Sequence, residues 1–319
     1  MSKKYSLISA YIDLIRVNYW FKNIFVVPGI FFSYFFIELD NFLSVDNFKL
    51  IFCAFISIFS VCSANYVINE ITDAKFDKFH SVKKNRPIVS GKISINSALI
   101  VYIILTIFSF YVSSLVNKQF SFWIFILFIM GLIYNVEPIR LKDLPFLDVL
   151  CESFNNLIRL LLGWNIFLTD YVPPISLCIV FWTGGSFLMT MKRYAEYQFI
   201  NNKKKSSNYR KSFNFYTKES LILFGNASAM FCCVFIGIFL SKYKIELILL
   251  TPLIVCLFTY YFYLSQKKDS IAQSPEYLFK DHVLISLVSI IVLILCLLLF
   301  YDLKFMEIFN NKLIKNTFY

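Results

Sequence analysis

Apolar runs near the 20 residues that carry a helix across a bilayer recur along this chain, and they constrain its fold more than any motif does. Runs at about 21–38, 48–70, 95–116, 119–136, 146–168, 172–192, 219–241, 244–264 and 281–302 predict nine transmembrane helices. Within lipid a helix satisfies its own backbone hydrogen bonds, which an open sheet or an irregular chain cannot do. With 58% hydrophobic residues and only 8 Gly and 8 Pro, the chain has no composition for a disordered or loop-rich alternative. The expected fold class is therefore all-α, a polytopic membrane bundle. No linker or low-complexity tract interrupts the runs, so 1–319 reads as a single integral membrane domain with its helices at about 21–302. The first run is too long for the apolar core of a signal peptide, and no cleaved leader is expected.

The formal charge of +11 is a topology signal more than a binding signal. Lys and Arg gather after spans two, four, six and eight: Lys75 to Lys92, then Arg140 and Lys142, then Lys192 to Lys218, then Lys267 to Lys280. The other loops are nearly free of them. That asymmetry places the N-terminus and these loops in the cytoplasm of a multi-pass protein of the cell (inner) membrane. No nucleic acid partner is expected, and a homo-oligomer stays open. The eight cysteines sit mostly inside apolar runs without metal-ligand spacing and read as small core residues. Neither His80 nor His282 has a metal-type partner, and His80 reads as a solvated loop residue.

Against this apolar background, the polar residues inside or beside spans stand out, because ionisable groups there are costly and usually functional. Span two ends in Asn69-Glu-Ile-Thr-Asp73-Ala-Lys-Phe-Asp77, followed by Lys83, Arg86 and Pro87. The four-residue spacing puts Asn69, Asp73 and Asp77 on one helix face. Two carboxylates and an amide oxygen suit Mg²⁺, which keeps its other positions for water and substrate phosphates. Lys83 and Arg86 follow closely enough to clamp those phosphates. The competing reading is a solvated helix end laced with ion pairs.

Span five opens with a second polar stripe, Asp148, Glu152, Asn155 and Arg159, spaced as one helical face. Such a stripe faces a wet cavity or a partner helix and not lipid. An internal Glu152–Arg159 ion pair is the structural alternative. Two opposed acidic faces would hold two Mg²⁺ ions on either side of a diphosphate and neutralise it as it leaves. Span six closes in Lys192-Arg-Tyr-Ala-Glu196, then the basic run Lys203 to Lys205, then Arg210-Lys-Ser212. The basic run reads as positive-inside bias or an anionic-lipid patch. Glycine-rich phosphate loops, nucleophile elbows, zinc-protease motifs and dinucleotide fingerprints are all absent from the sequence.

The element at Asn69, Asp73, Asp77, Lys83, Arg86 and Pro87 resembles the first motif of the UbiA-type intramembrane prenyltransferases. That resemblance implies a nine-helix bundle with two acidic motifs at a cytoplasmic-side cavity. Within the superfamily the chain is similar to the decaprenyl-phosphate phosphoribosyltransferase branch, on several stretches. These are Leu141-Lys142 through Asp148 to Arg159 and Gly163, Lys192 to Glu196, Arg210 to Ser212, Tyr216-Thr217, and Pro275-Glu276 with Asp281, Val283 and Leu284. The likeness covers roughly 15–290. Glu70 stands where an Asp is usual, Asp148 with Glu152 makes an acidic pair where the branch has a single carboxylate, and the 134–142 loop is longer.

The resemblance implies Mg²⁺-dependent transfer of 5-phosphoribose from phosphoribosyl diphosphate to a polyprenyl phosphate. Asn69, Glu70, Asp73 and Asp77 would hold the metal, and Lys83 and Arg86 the donor diphosphate. Lys142, Arg159, Lys192 and Arg193 would position the acceptor or the 5-phosphate. Asn155, Tyr194, Glu196, Arg210 and Lys211 join the substrate-binding set, while Asp148 and Glu152 help bind metal or orient the ribose. The alternative within the fold is a prenyl diphosphate donor with an aromatic or lipid acceptor, which the acidic pair favours. A transporter or lipid-binding scaffold lacks the paired broken helices that would support it.

Overall fold

The computed structural model describes residues 7–37, 44–78, 83–200, 210–267, 270–273, 275–301 and 303. His80 and Lys203 to Lys205 lie outside the described residues, as do the side chains of Pro275 and Glu276. The chain gathers into two compact units, Met1–Pro173 with Ser207–Phe215, and Pro174–Ser206 with Tyr216–Tyr319.

The first unit holds α1 (Leu7–Ile15), a 3₁₀ segment (Val17–Phe25) running directly into α2 (Val26–Ile37), α3 (Val45–Asp77), α4 (Ile95–Ser114), α5 (Lys118–Asn135) and α6 (Leu147–Trp164). Three of these starts carry a side-chain cap that satisfies an otherwise orphaned backbone N–H. Ser44 accepts from Asn47, Ser94 from Ser97 and Asn117 from Phe120. The helices pack through an apolar core of Val26, Ile58, Phe120, Ile124, Ile158 and Leu162. Small and polar residues bring the backbones together, as in other membrane bundles. At the α2–α6 crossing, a Cβ on Gly29 would stand 2.1 Å from the carbonyl oxygen of Leu160, and one on Gly163 at 2.1 Å from that of Val26. Ser57 and Ser109 each donate to the other's carbonyl, at 3.0 and 2.8 Å, and tie α3 to α4. Asn65 donates to the Leu127 carbonyl at 2.9 Å and ties α3 to α5.

The second unit holds α7 (Ile175–Ile200), α8 (Lys218–Tyr243), a 3₁₀ segment (Ile245–Leu250) leading into α9 (Thr251–Gln266), and α10 (His282–Phe300). A capping box between Thr217 and Ser220 starts α8, and Asp281 caps α10. Its core joins Phe187, Met191, Tyr261 and Ala272 with Leu284.

Among the described residues these segments account for nine membrane helices and no strand, an all-α bundle. Seven are long and apolar enough by themselves. The other two are the 3₁₀ segment with α2, whose regular α-helical part is only 12 residues, and α6, which carries Asp148, Glu152 and Arg159 within 18 residues. The outward faces are apolar, as lipid requires: Ile100, Ile103, Ile104 and Ile107 on α4, and Val292 and Leu293 on α10, are exposed.

Candidate active site

α3 continues seven residues past the expected end of its apolar run, to Asp77. Asp73 and Asp77 therefore stand on the helix itself, one and two turns beyond Asn69, each step turning the face by about 40°. Every acidic group of this ladder meets basic groups from a different segment. The Asp73 carboxylate accepts from Arg140 at 2.8 Å and from Lys142 at 2.5 Å. Asp77 accepts from Arg86 and lies 3.9 Å from Lys83. Asn69 donates to the side-chain oxygen of Asn135, the last residue of α5, which also accepts from Lys142 at 3.1 Å. Arg140 holds its place with a left-handed backbone (φ 34°) and a 3.0 Å bond to Asp143.

Glu70 is fully buried and does not join this ladder. One oxygen accepts from the backbone N–H of Ile88 at 3.0 Å; the other faces Arg16 at 3.8 Å, beyond hydrogen-bond reach. Glu70 thus fastens the segment that carries Lys83 and Arg86 to α3.

The second acidic element meets the first at the end of α5. Asp148, fully buried at the start of α6, accepts from Arg210 at 3.1 Å and from Ser212 at 3.4 Å. Arg210 also donates to the Tyr134 hydroxyl at 3.3 Å, which donates to Glu152 at 3.2 Å. Glu152 lies 3.9 Å from Lys22 of the first 3₁₀ segment, and Lys211 lies 3.1 Å from Asp143. Tyr134 and Asn135 are neighbours in sequence, so the two carboxylate groups are joined through one helix end.

Arg159 sits deeper along α6. Its guanidinium bonds Asn23 at 2.9 Å and Asn156 at 3.4 Å and approaches the Cys62 thiol at 3.8 Å, so its partners are neutral and Glu152 is not among them. The side-chain oxygen of Asn155 is buried without a hydrogen bond. Lys192, Arg193, Tyr194 and Glu196 lie on α7 in the second unit, on the helix and not in a loop after it. There Arg193 is fully buried and bonds Glu196 at 3.1 Å, Tyr194 is buried and Lys192 half-buried.

Asn135, Arg140, Asp143, Tyr134 and Lys22 carried no predicted role, yet each takes part in this network. The one sequence signal at hand was the density of charge in 137–143.

Burial pushes the ammonium groups of Lys83 and Lys142 down to about 8, Lys142 against the pull of Asp73. Both lie in short 3₁₀ turns outside the spans. They are proton-labile cations beside carboxylates, a set suited to an anion that brings its own counter-ions. Among the described residues no three His, Cys, Asp or Glu side chains form a metal cage. Two carboxylates and an amide oxygen on one face fit a hard divalent cation that shares its shell with substrate phosphates.

Comparison with known proteins shows the family and the fold. A family model described as "UbiA prenyltransferase family" matches residues 26–281. The decaprenyl-phosphate phosphoribosyltransferase of Mycolicibacterium smegmatis is 26% identical over 72% of this chain and 70% of its own length. The protoheme IX farnesyltransferase of Flavobacterium psychrophilum is 28% identical over 41% of this chain. With that protein and an uncharacterized one from Sinorhizobium fredii, the chain spans 45% and 27% of the relative's length. A UbiA homolog from Archaeoglobus fulgidus, solved with GPP and Mg²⁺, superposes with a TM-score of 0.69 at 18% identity, covering 89% of this chain and all of that one.

Proposed function

This chain belongs to the UbiA prenyltransferase family, and we propose that it transfers 5-phosphoribose from phosphoribosyl diphosphate to a polyprenyl phosphate, releasing diphosphate. One observation carries this reading: Arg210 and Lys211 reach the second acidic element at Asp148 and Asp143. With Lys83, Arg86, Arg140 and Lys142 around Asp73 and Asp77, phosphate-binding side chains stand at both acidic elements and not at one alone. A donor with a diphosphate and a 5-phosphate, meeting an acceptor that is itself a phosphate, would engage both sets. The similarity to a decaprenyl-phosphate phosphoribosyltransferase over most of both chains points the same way.

Asn69, Asp73 and Asp77 would hold Mg²⁺, which supplies positive charge to the diphosphate as its bond to carbon breaks. Lys83, Arg86, Arg140 and Lys142 bind the diphosphate oxygens, taking up the electron pair's charge as the ribose C1–O bond opens. The acceptor phosphate oxygen then bonds to C1. Being already anionic near neutral pH, it needs no strong general base. Asp148 and Glu152, held by Arg210, Tyr134 and Lys22, orient the sugar. Glu70 acts by fixing the Lys83–Arg86 segment. Arg193 and its neighbours on α7 keep the phosphate-positioning role that the resemblance implies. The protein works in the cell membrane with this site toward the cytoplasm.

A prenyl diphosphate donor with an aromatic or lipid acceptor is favoured by the acidic pair Asp148 and Glu152, bridged through Arg210 and Tyr134, and by the farnesyltransferase relative. Membranes carrying the protein, given Mg²⁺, polyprenyl phosphate and phosphoribosyl diphosphate labelled in the ribose, separate the two. Label entering the organic phase supports sugar-phosphate transfer. Label that stays aqueous while a prenyl diphosphate is consumed assigns the prenyl reaction instead.

A further inference from the structure

The face of α3 opposite the carboxylate ladder has its own feature. Ile71, Ala74, Lys75 and Lys78 follow one another at helical spacing, about half a turn away from Asn69, Asp73 and Asp77. With Ile88, Val89, Gly91 and Ile93 they line a cavity of about 610 Å³ that reaches the start of α4 at Ser94 and Ile95. Its inner wall is apolar, with Ala74, Ile88 and Ile93 buried. None of the described lining residues is acidic, and both charged ones are lysines. Lys75 is mostly exposed, with Glu137 of the 136–140 loop at 3.2 Å. Beyond the mouth, Ile95, Leu99 and Ile100 on the first turns of α4 are exposed large apolar side chains, a face that only lipid covers in a membrane-spanning helix.

We propose that this cavity binds an anionic glycerophospholipid, with its phosphate head group on Lys75 and Lys78 and an acyl chain running down the Ile95–Ile100 face of α4. Charge and shape select that occupant. Two ammonium groups stand at the polar end of two membrane helices, over an apolar wall that continues into the lipid-facing surface. Each nearby Lys attracts an anionic head group, while a zwitterionic head group gains no net charge attraction. A free phosphate would leave the apolar wall uncovered. Occupancy also has a route to the catalytic face. Ile88 lines the cavity and donates its N–H to Glu70, and the same segment supplies Lys83 and Arg86 to Asp77. A lipid filling the cavity braces that segment from behind.

The test uses purified full-length protein in phosphatidylcholine nanodiscs. These carry a trace of either phosphatidylglycerol or phosphatidylcholine with a photoreactive diazirine high on one acyl chain. After irradiation, mass spectrometry maps the label. The expected result is strong labelling of peptides within 71–100 by the phosphatidylglycerol probe. Lys75→Glu with Lys78→Glu should lower it on the order of tenfold, while labelling of the α8 surface around Leu223 and Phe231 stays unchanged. Equal labelling of 71–100 by both probes, or labelling by the anionic probe that survives the charge reversal, overturns the assignment. If the double reversal does not fold, Lys75→Gln with Lys78→Gln gives the same reading with a smaller drop, and no drop in that folded variant also overturns it.

Discussion

Asp73 and Asp77 each face two cations contributed by other segments, so neutralising either carboxylate changes the charge of the whole ladder without creating a cavity. Asp73→Asn and Asp77→Asn keep shape and volume, and each is expected to lower Mg²⁺-dependent transfer by 10²-fold or more, about the effect of removing one preorganised electrostatic group. Transfer assays beside a thermal-melting control check this; full activity in both folded variants removes the ladder from the chemistry. The lysines give a second signature. With Lys83 and Lys142 titrating at about 8, their cationic forms fade as pH rises through that value, and donor KM should climb above pH 8 while staying flat below it. The fold responds with the opposite sign. A lysine whose folded value lies below its unfolded one, about 10.4, destabilises the protein most below pH 8, and that cost lifts between 8 and 10.4. Melting temperature rising while donor affinity falls over that window distinguishes these two lysines from general alkaline damage. At this scale the i, i+4, i+8 set of one amide and two carboxylates was legible because its spacing is local. Arg140, Asn135 and Tyr134 were not, because their partners come from more than 60 residues away in Asp73, Asn69 and Arg210, and no local period encodes that.

At the scale of elements, two devices set where the ladder stands. The first is Glu70, a carboxylate with the apolar burial of a core residue, which grips the backbone of the next segment at Ile88. Glu70→Ala leaves that N–H without its acceptor and removes the carboxylate facing Arg16. Hydrogen exchange across 83–93 should rise at least tenfold, with donor KM rising more than kcat falls. Glu70→Gln retains an acceptor and should restore much of the protection. Unchanged exchange in the alanine variant would show that the segment is held by other contacts. The second device is the α2–α6 crossing, where Gly29 and Gly163 leave room for nothing but backbone. Gly163→Ala pushes a methyl into the Val26 carbonyl, an overpacking that costs about 1–3 kcal/mol. A lowered melting temperature, with proportionate loss of activity, is the expected outcome. The family resemblance, and not helical spacing, placed Glu70 with the metal ligands. A helix face is readable from a period, whereas which neighbour covers that face is decided by loops whose path the sequence does not reveal.

For the molecule as a whole, the nine apolar runs read from the sequence reappear among the described residues as nine membrane helices, because a membrane span needs only length and hydropathy, both local quantities. The two weak cases are instructive. α6 carries Asp148, Glu152 and Arg159 within 18 residues, and the first span begins as a 3₁₀ segment that brings Lys22 and Asn23 toward Glu152 and Arg159. In each case function and apolar pattern compete for the same residues. The division into two compact units had no marker, since no linker or change of composition separates them. Sidedness is the global property on which the cytoplasmic assignment of the site depends, and it follows from the loop lysines alone. It can be checked across one helix. α4 runs from Ile95 to Ser114, so Lys92 precedes it on the predicted inner side and Lys118 follows it on the outer side. With Lys118→Cys, a membrane-impermeant maleimide is expected to label intact cells. With Lys92→Cys it should label only inverted vesicles or permeabilised cells, read against the background of the native cysteines. Labelling of Lys92→Cys from outside intact cells would place the carboxylate ladder away from the cytoplasmic pool of its phosphorylated donor, and both transfer reactions weighed above would lose their supply.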